Sequence, residues 1–137
     1  MEKYPMLFSP IKVGTQTVKN RLWMPPVSTN LAVDHGHVSD ALIEHYTNRA
    51  KGGVGLIVTE VVTVEPTYVY LPGDMCMADD SFIPGWEKLC ASVHEHGAKI
   101  LPSSSTPRTW PFPSPARRGS SRRRSWGPTT PARRRAP

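Results

Sequence analysis

Between Leu22 and Leu101 the hydrophobic pattern switches from strand to helix and back, strand, helix, strand, helix, strand, and that series restricts the chain to an α/β fold. Leu22 to Val27 is an apolar run stopped by Pro25-Pro26, since proline cannot donate to a strand ladder. Ser39 caps a helix whose apolar Leu42, Ile43, Tyr46 and Ala50 share one face, and Gly52-Gly53 ends it through a left-handed C′ position. Gly55 to Val64 is apolar almost throughout, as expected of a strand covered on both faces. Asp79, Asp80 and Ser81 lead into Pro84 at a helix first turn. Ile83, Trp86, Leu89, Cys90 and Val93 then recur at helical spacing until Gly97, and Ala98 to Leu101 begins a third strand. Such a series pairs its strands in parallel through right-handed crossovers. Ahead of it, Ile11-Lys12-Val13 and Thr17-Val18-Lys19 alternate around Gly14-Thr15 as a short hairpin. The pattern alone leaves a closed barrel and an open doubly wound sheet equally available.

Composition divides the chain at Leu101. Residues 1–101 hold eight basic and eleven acidic residues, a net charge of −3, in a mix typical of a soluble globular protein. Residues 102–137 hold nine arginines and no lysine, aspartate or glutamate, so the overall +6 describes no single domain. That tail is almost entirely Arg, Pro, Ser, Ala, Gly and Thr, which cannot bury enough apolar surface to offset ordering entropy. The expected domains are thus 1–101 and a disordered 102–137. Met1 to Pro10 has no continuous apolar stretch of a secretory leader, and no run approaches the ~20 apolar residues of a membrane span. Cys76 and Cys90 are too few for a disulfide framework, so a reducing, cytoplasmic setting is expected.

Two stretches carry a resemblance: Leu7 to Ser28, LFSPIKVGTQTVKNRLWMPPVS, and Lys51 to Glu60, KGGVGLIVTE. Together they resemble the start of the old yellow enzyme family, the FMN-dependent ene-reductases and NADH:flavin oxidoreductases. The resemblance implies a (β/α)8 TIM barrel with the hairpin closing its bottom. It covers about two and a half βα units, against the ~250 residues of a typical barrel. The parent chemistry it implies runs from NAD(P)H to flavin to the activated C=C bond of a small enone or enoyl substrate. A fragment of that size keeps open strand edges prone to self-association and is expected to be inactive.

The resemblance also implies site residues. Pro26-Val27-Ser28 fills the slot at the end of the first strand, with the backbone of Pro25 to Val27 along the isoalloxazine edge and the Ser28 hydroxyl donating to a flavin carbonyl. Such a donor stabilises negative charge on the reduced ring. By spacing alone Ser28 is a loop serine; the flanking Lys19-Asn20-Arg21 and Lys51 to Gly55 matches favour the flavin role. Val61 stands where the family has alanine or glycine against the flavin. Asn30 falls where some relatives place a substrate-facing tyrosine, and by itself reads as a solvated loop amide. No metal site is expected: Cys90 and His94 are two ligands only, His94 and His96 point to different helix faces, and the cysteines of an iron–sulfur cluster carried by some relatives are absent.

The pattern departs at Pro102. The family continues with a glutamine that bonds the flavin pyrimidine, and that slot holds Ser103. If Pro102 to Pro107 were encoded CCC AGC TCT TCC ACG CCN, reading from the third base would yield Q-L-F-H-A, close to the family stretch, although the next codon could not then encode the family's glycine; a shifted frame is thus one origin open to the tail, beside a genuine one. The alternative function takes the tail at face value. Arg122-Arg123-Arg124 and Arg133-Arg134-Arg135 would contact phosphates of nucleic acid or another polyanion, with Trp110 and Trp126 stacking on bases. The lack of lysine, and of any nucleic-acid module in residues 1–101, weighs against it.

Overall fold

A computed structural model describes residues 3–65 and 71–105, and strand β4, Leu56–Thr63, is the element to which three other strands bond. In order, the elements are β1 (Ile11–Val13), β2 (Gln16–Val18), β3 (Trp23–Met24), α1 (Asp40–Lys51), β4, β5 (Met75–Cys76), α2 (Ile83–Glu95) and β6 (Lys99–Ser105). One flank of β4 takes β3 at its start (Trp23 opposite Leu56) and β5 at its end (Val62 opposite Met75). The other flank takes β6 along its length, from Leu56 opposite Lys99 to Thr63 opposite Ser105. All three pairings are parallel. The β1–β2 hairpin forms its own antiparallel pair, with Val13 opposite Gln16. Its two-residue loop has positive φ at Gly14 (58°) and not at Thr15, the pattern of a type II′ turn.

Local chemistry sets the helix ends as expected. The Ser39 hydroxyl accepts from the Leu42 N–H at 3.1 Å, and Gly53 supplies the positive φ (99°) after α1. The Asp79 carboxylate accepts from the Ser81 N–H at 2.8 Å before a single 3₁₀ turn opens α2, and Gly97 (φ 70°) closes it. Both helices pack on the sheet. Leu42, Tyr46 and Ala50 of α1 meet Leu89 and Val93 of α2 over Ile57, Val62, Met75 and Ala98. Burying each of the large ones contributes roughly 1.5–3 kcal/mol, and the Thr47 and Ser92 hydroxyls bond at 2.9 Å between the helices.

The hairpin sits at the N-terminal ends of the sheet strands. Val18 is buried there, and the Lys19 Nζ donates to the His96 carbonyl at 2.6 Å, neutralising the C-terminal end of α2. Asn20 is the clamp: its amide donates to the Gly53 carbonyl at 2.7 Å while its oxygen accepts from the Leu22 N–H at 3.1 Å.

The structure differs from the sequence reading at four points. Strand β3 is two residues long, because Pro25 and Pro26 stop it at once. Strand β5 has no periodic signal of its own and exists because β4 offers it a free flank. Ile83 belongs to the helical apolar set yet is 47% exposed. Strand β6 runs to Ser105, past the composition boundary at Leu101, because β4 supplies it with partners to Thr63. The tail beyond Ser105, with its arginine runs, lies outside the described residues.

Candidate functional site

Strand β3 ends at Met24 beside Ile57, and the segment that follows it reaches β4 again at Glu60, next to Val61 and across the sheet from Pro102 and Ser103 of β6, so that most residues singled out from the sequence fall along this stretch. After Met24 the chain passes through exposed Pro25, Pro26 and Val27 to half-buried Ser28 and Thr29. A single side chain then ties this segment to the sheet. Glu60, fully buried in β4, accepts the Thr29 N–H at Oε2, 2.5 Å away, while its Oε1 has no partner among the described residues. The Glu60 N–H in turn donates to the Tyr46 hydroxyl of α1 at 2.9 Å. Helix, strand and loop therefore converge on one glutamate.

Electrostatics follow from that burial. Desolvation pushes the Glu60 carboxyl above its ordinary range, the Thr29 bonds pull it back, and the charge of Asp74 pushes it up again. Burial likewise pushes the Tyr46 phenol up to about 12. Asp74 is itself buried, with one oxygen accepting from the Leu71 N–H at 3.1 Å and the other without a partner among the described residues.

Val61 follows Glu60 and is half-buried, with Ser103 as its partner on β6. Between Val58–Leu101 and Val61–Ser103 the register shifts, so that Thr59 and Glu60 face Pro102 alone. A bulge costs least opposite a proline, which has no N–H to leave unpaired. The Thr59 hydroxyl fills the gap, accepting from the Ser103 N–H at 3.4 Å and donating to the Glu60 carbonyl at 3.0 Å.

Ser28 and Val61 are thus joined through the adjacent Thr29–Glu60 bond, and Ser103 lies across from Val61. Ser28 makes no hydrogen bond among the described residues. Asn30 is placed differently. Its backbone is left-handed (φ 56°), and it packs so closely on Gly73 that a Cβ there would sit 2.7 Å from the Asn30 backbone; its side chain is exposed. Three non-glycine residues in this loop, Asn30, Asp34 and His35, have positive φ, a concentration of strain of the kind found at binding sites.

Sequence reasoning missed Glu60, Tyr46 and Thr29 as site residues. The available signal was the lone carboxylate in an otherwise apolar strand. Among the described residues no group of three or more His, Cys, Asp and Glu is placed to hold a metal. The Cys90 thiol is half-buried and pushed up by that burial.

Comparison with known proteins gives a consistent picture. The sequence model of the NADH:flavin oxidoreductase / NADH oxidase family matches residues 6–103. The chain is 43% identical over 102 residues to an NADH oxidase of Thermoanaerobacter brockii, covering 74% of this chain and 16% of that protein. It is 34% identical over 94 residues to an NADPH dehydrogenase of Listeria monocytogenes, covering 68% of this chain and 28% of that one. The old yellow enzyme homologue of Zymomonas mobilis superposes with a TM-score of 0.67 at 29% identity, over 73% of this chain and 28% of that structure. The described fold is the N-terminal part of such a TIM barrel, and the chain spans under a third of these relatives' length.

Proposed function

The chain belongs to the NADH:flavin oxidoreductase / NADH oxidase family, and from that membership we propose that it contributes one wall of an FMN site in a nicotinamide-dependent oxidoreductase. Members of the family use FMN and NAD(P)H. The observation that carries the reading is Ser28: a half-buried hydroxyl with no partner among the described residues, in the segment that follows the C-terminal end of parallel strand β3, the side of a strand on which barrels of this kind gather their chemistry.

A flavin held there would supply hydride-transfer chemistry between a nicotinamide and an activated C=C bond. The chain's own residues hold and shape its edge. Pro25 and Pro26 offer carbonyls and no N–H, so donors come from the Val27 and Ser28 amides and the Ser28 hydroxyl. A donor at that edge stabilises negative charge on the reduced ring. Glu60 keeps the segment in place through Thr29, and the Val61 backbone runs alongside, its branched side chain narrowing the approach. Asn30, with its exposed amide, is the proposed contact to an enone or enoyl substrate.

By themselves the 137 residues are proposed not to turn over. Ser103 replaces the glutamine that would hold the pyrimidine ring, and no phosphate clamp or carbonyl-polarising pair is supplied by residues 3–65 and 71–105. The outer edge of β6 bonds to no other strand among the described residues and is the proposed route of self-association. Among the described residues no helix is long and apolar enough to cross a membrane, and two unpaired cysteines suit the cytoplasm.

Titration with FMN, followed by flavin fluorescence, tests the reading. Weak binding is expected, weakened a further ~2- to 10-fold by Ser28→Ala, the equivalent of one hydrogen bond. An unchanged affinity in Ser28→Ala would remove Ser28 from the flavin edge. Stoichiometric micromolar binding with enone turnover would overturn the proposed inactivity.

A further inference from the structure

A second feature lies beyond the C-terminal end of β4. A cavity of about 510 Å³ is lined by Asp34 and His35 from the loop between β3 and α1, Thr63 at the end of β4, and Pro72 and Asp74 ahead of β5. Its walls are tied together at two points. The Gly36 carbonyl accepts from the Cys76 N–H at 2.9 Å, and the Gly73 carbonyl accepts from the Ala32 N–H at 3.1 Å. Neither glycine has room for a side chain, since a Cβ at Gly36 would lie 2.5 Å from the Cys76 Cβ and one at Gly73 2.7 Å from the Asn30 backbone. Between these ties Asp34 and His35 are held at φ 45° and 64°, a conformation that persists in non-glycine residues only where the surroundings impose it.

The polar capacity left in the cavity is that of an acceptor. Asp74 is 3% exposed; its Oδ2 takes the Leu71 N–H at 3.1 Å, and its Oδ1 has no partner among the described residues. A carboxylate oxygen removed from water in this way calls for a donor. The Thr63 hydroxyl gives its proton to the Met75 carbonyl at 3.3 Å, which leaves its oxygen to accept. Asp34 adds a second carboxylate, and no lysine or arginine is among the described lining residues.

We propose that this cavity binds the protonated primary amine of a small organic molecule, its ammonium held between Asp74 and Asp34. An ammonium is a compact charge with three donors on one atom. Asp74 Oδ1, the Asp34 carboxylate and the Thr63 oxygen are three acceptors for it. A guanidinium fits worse, because its fork pairs with both oxygens of a carboxylate and one oxygen of Asp74 is already taken by Leu71. A metal ion also fits worse, because among the described residues no group of three or more His, Cys, Asp and Glu is placed to ligate one. The volume leaves room for a short carbon chain behind the ammonium. The site needs no flavin.

The probe is n-butylammonium chloride, added to the isotope-labelled full-length chain at about pH 8, where an aliphatic amine stays charged and histidine is neutral. The Leu71 N–H donates to Asp74, so its amide resonance reports on that carboxylate. The resonance is expected to move saturably with a midpoint of order 10 mM, the scale of two charge-assisted bonds. Sodium chloride and tetramethylammonium chloride at equal ionic strength should leave it in place, since neither cation offers an N–H. Asp34→Asn should raise the midpoint about 10-fold or more, the equivalent of one charge-assisted bond. Asp74→Asn should abolish the saturable shift. A shift that tetramethylammonium reproduces, a response linear in amine concentration, or an unchanged midpoint in Asp34→Asn would each overturn the proposal. Asp34 is exposed, so that variant keeps the test decisive even where Asp74→Asn fails to fold.

Discussion

Tyr46→Phe removes one oxygen from α1, and the structure defines what that oxygen does. Tyr46 and Glu60 are both fully buried, and the hydroxyl is the acceptor for the Glu60 N–H at 2.9 Å. Phenylalanine keeps the ring in the core with Leu42, Ala50, Leu89 and Val93, so the cavity cost of about 2–5 kcal/mol that accompanies a large-to-alanine change does not arise. What remains is a buried backbone donor without a partner, which costs about 1–3 kcal/mol. Relief of the hydroxyl's own desolvation offsets part of this, leaving an expected loss of about 1–2 kcal/mol. A body of about 100 residues has roughly 5–15 kcal/mol in total, and each kcal/mol moves its melting midpoint by about 4–8 °C. Urea unfolding followed by circular dichroism should show a lower midpoint with unchanged slope, and amide exchange at Glu60 should accelerate. A loss below about 0.3 kcal/mol, with Glu60 exchange as slow as in the wild type, would refute the argument by showing that the N–H has another acceptor.

Glu60 makes the fold pH-dependent in a definite direction. Burial raises its folded-state pKa, so its contribution to stability is complete below the unfolded carboxyl range near about 4.3 and is lost as pH rises through the folded value. Glu60→Gln should therefore gain on the wild type between acid and neutral pH, and a stability difference constant across that span would contradict the sign. Gly36→Ala should cost about 2–4 kcal/mol, because φ is +110° and a Cβ would lie 2.5 Å from the Cys76 Cβ and 2.8 Å from its nitrogen. Gly14→Ala, at φ +58° in open space, should cost only about 1 kcal/mol, and equal losses in a thermal melt would refute the distinction. Limited trypsin digestion should cut within Arg117 to Arg135 before any site in residues 3–105, as the composition of that stretch predicts, and protection of those arginines would contradict the expectation.

Much of the scaffold was legible because its signals are local. Ser39 caps the helix it precedes, and Gly53 and Gly97 take the positive φ their places demand. The apolar run after Gly55 is the strand to which β3, β5 and β6 all bond. What the sequence hid is non-local. Met75–Cys76 becomes a strand only because β3 ends at Met24 and leaves β4 a free flank. The boundary at Leu101 is real in composition and absent in structure as far as Ser105, since a parallel partner matters more there than the residues' own preference. The roles proposed for Ser28 and Val61 rest on resemblance alone, since neither spacing nor periodicity singles them out. Glu60 was visible as an acid, but its partner Thr29 is 31 residues away, and no periodicity links the two.

The bulge, the proline and the glutamate in this sheet form one device. In a strictly alternating strand, Ile57 and Val62 would point to opposite faces, being an odd number of residues apart. Both are nevertheless fully buried in the same cluster under the helices. The extra residue at Thr59–Glu60 resets the parity between them, and it does so opposite Pro102, where no ladder donor is lost. With its backbone out of the regular ladder, Glu60 finds its bonds elsewhere, its N–H on the Tyr46 hydroxyl and its carboxyl on the Thr29 N–H. The irregularity that lets β4 serve the hydrophobic core over both halves of its length is therefore also what ties the Pro25 to Asn30 segment to β4 at Glu60. Core packing and the geometry of the proposed flavin wall are set by the same inserted residue, so a change that repairs the bulge would have to damage both.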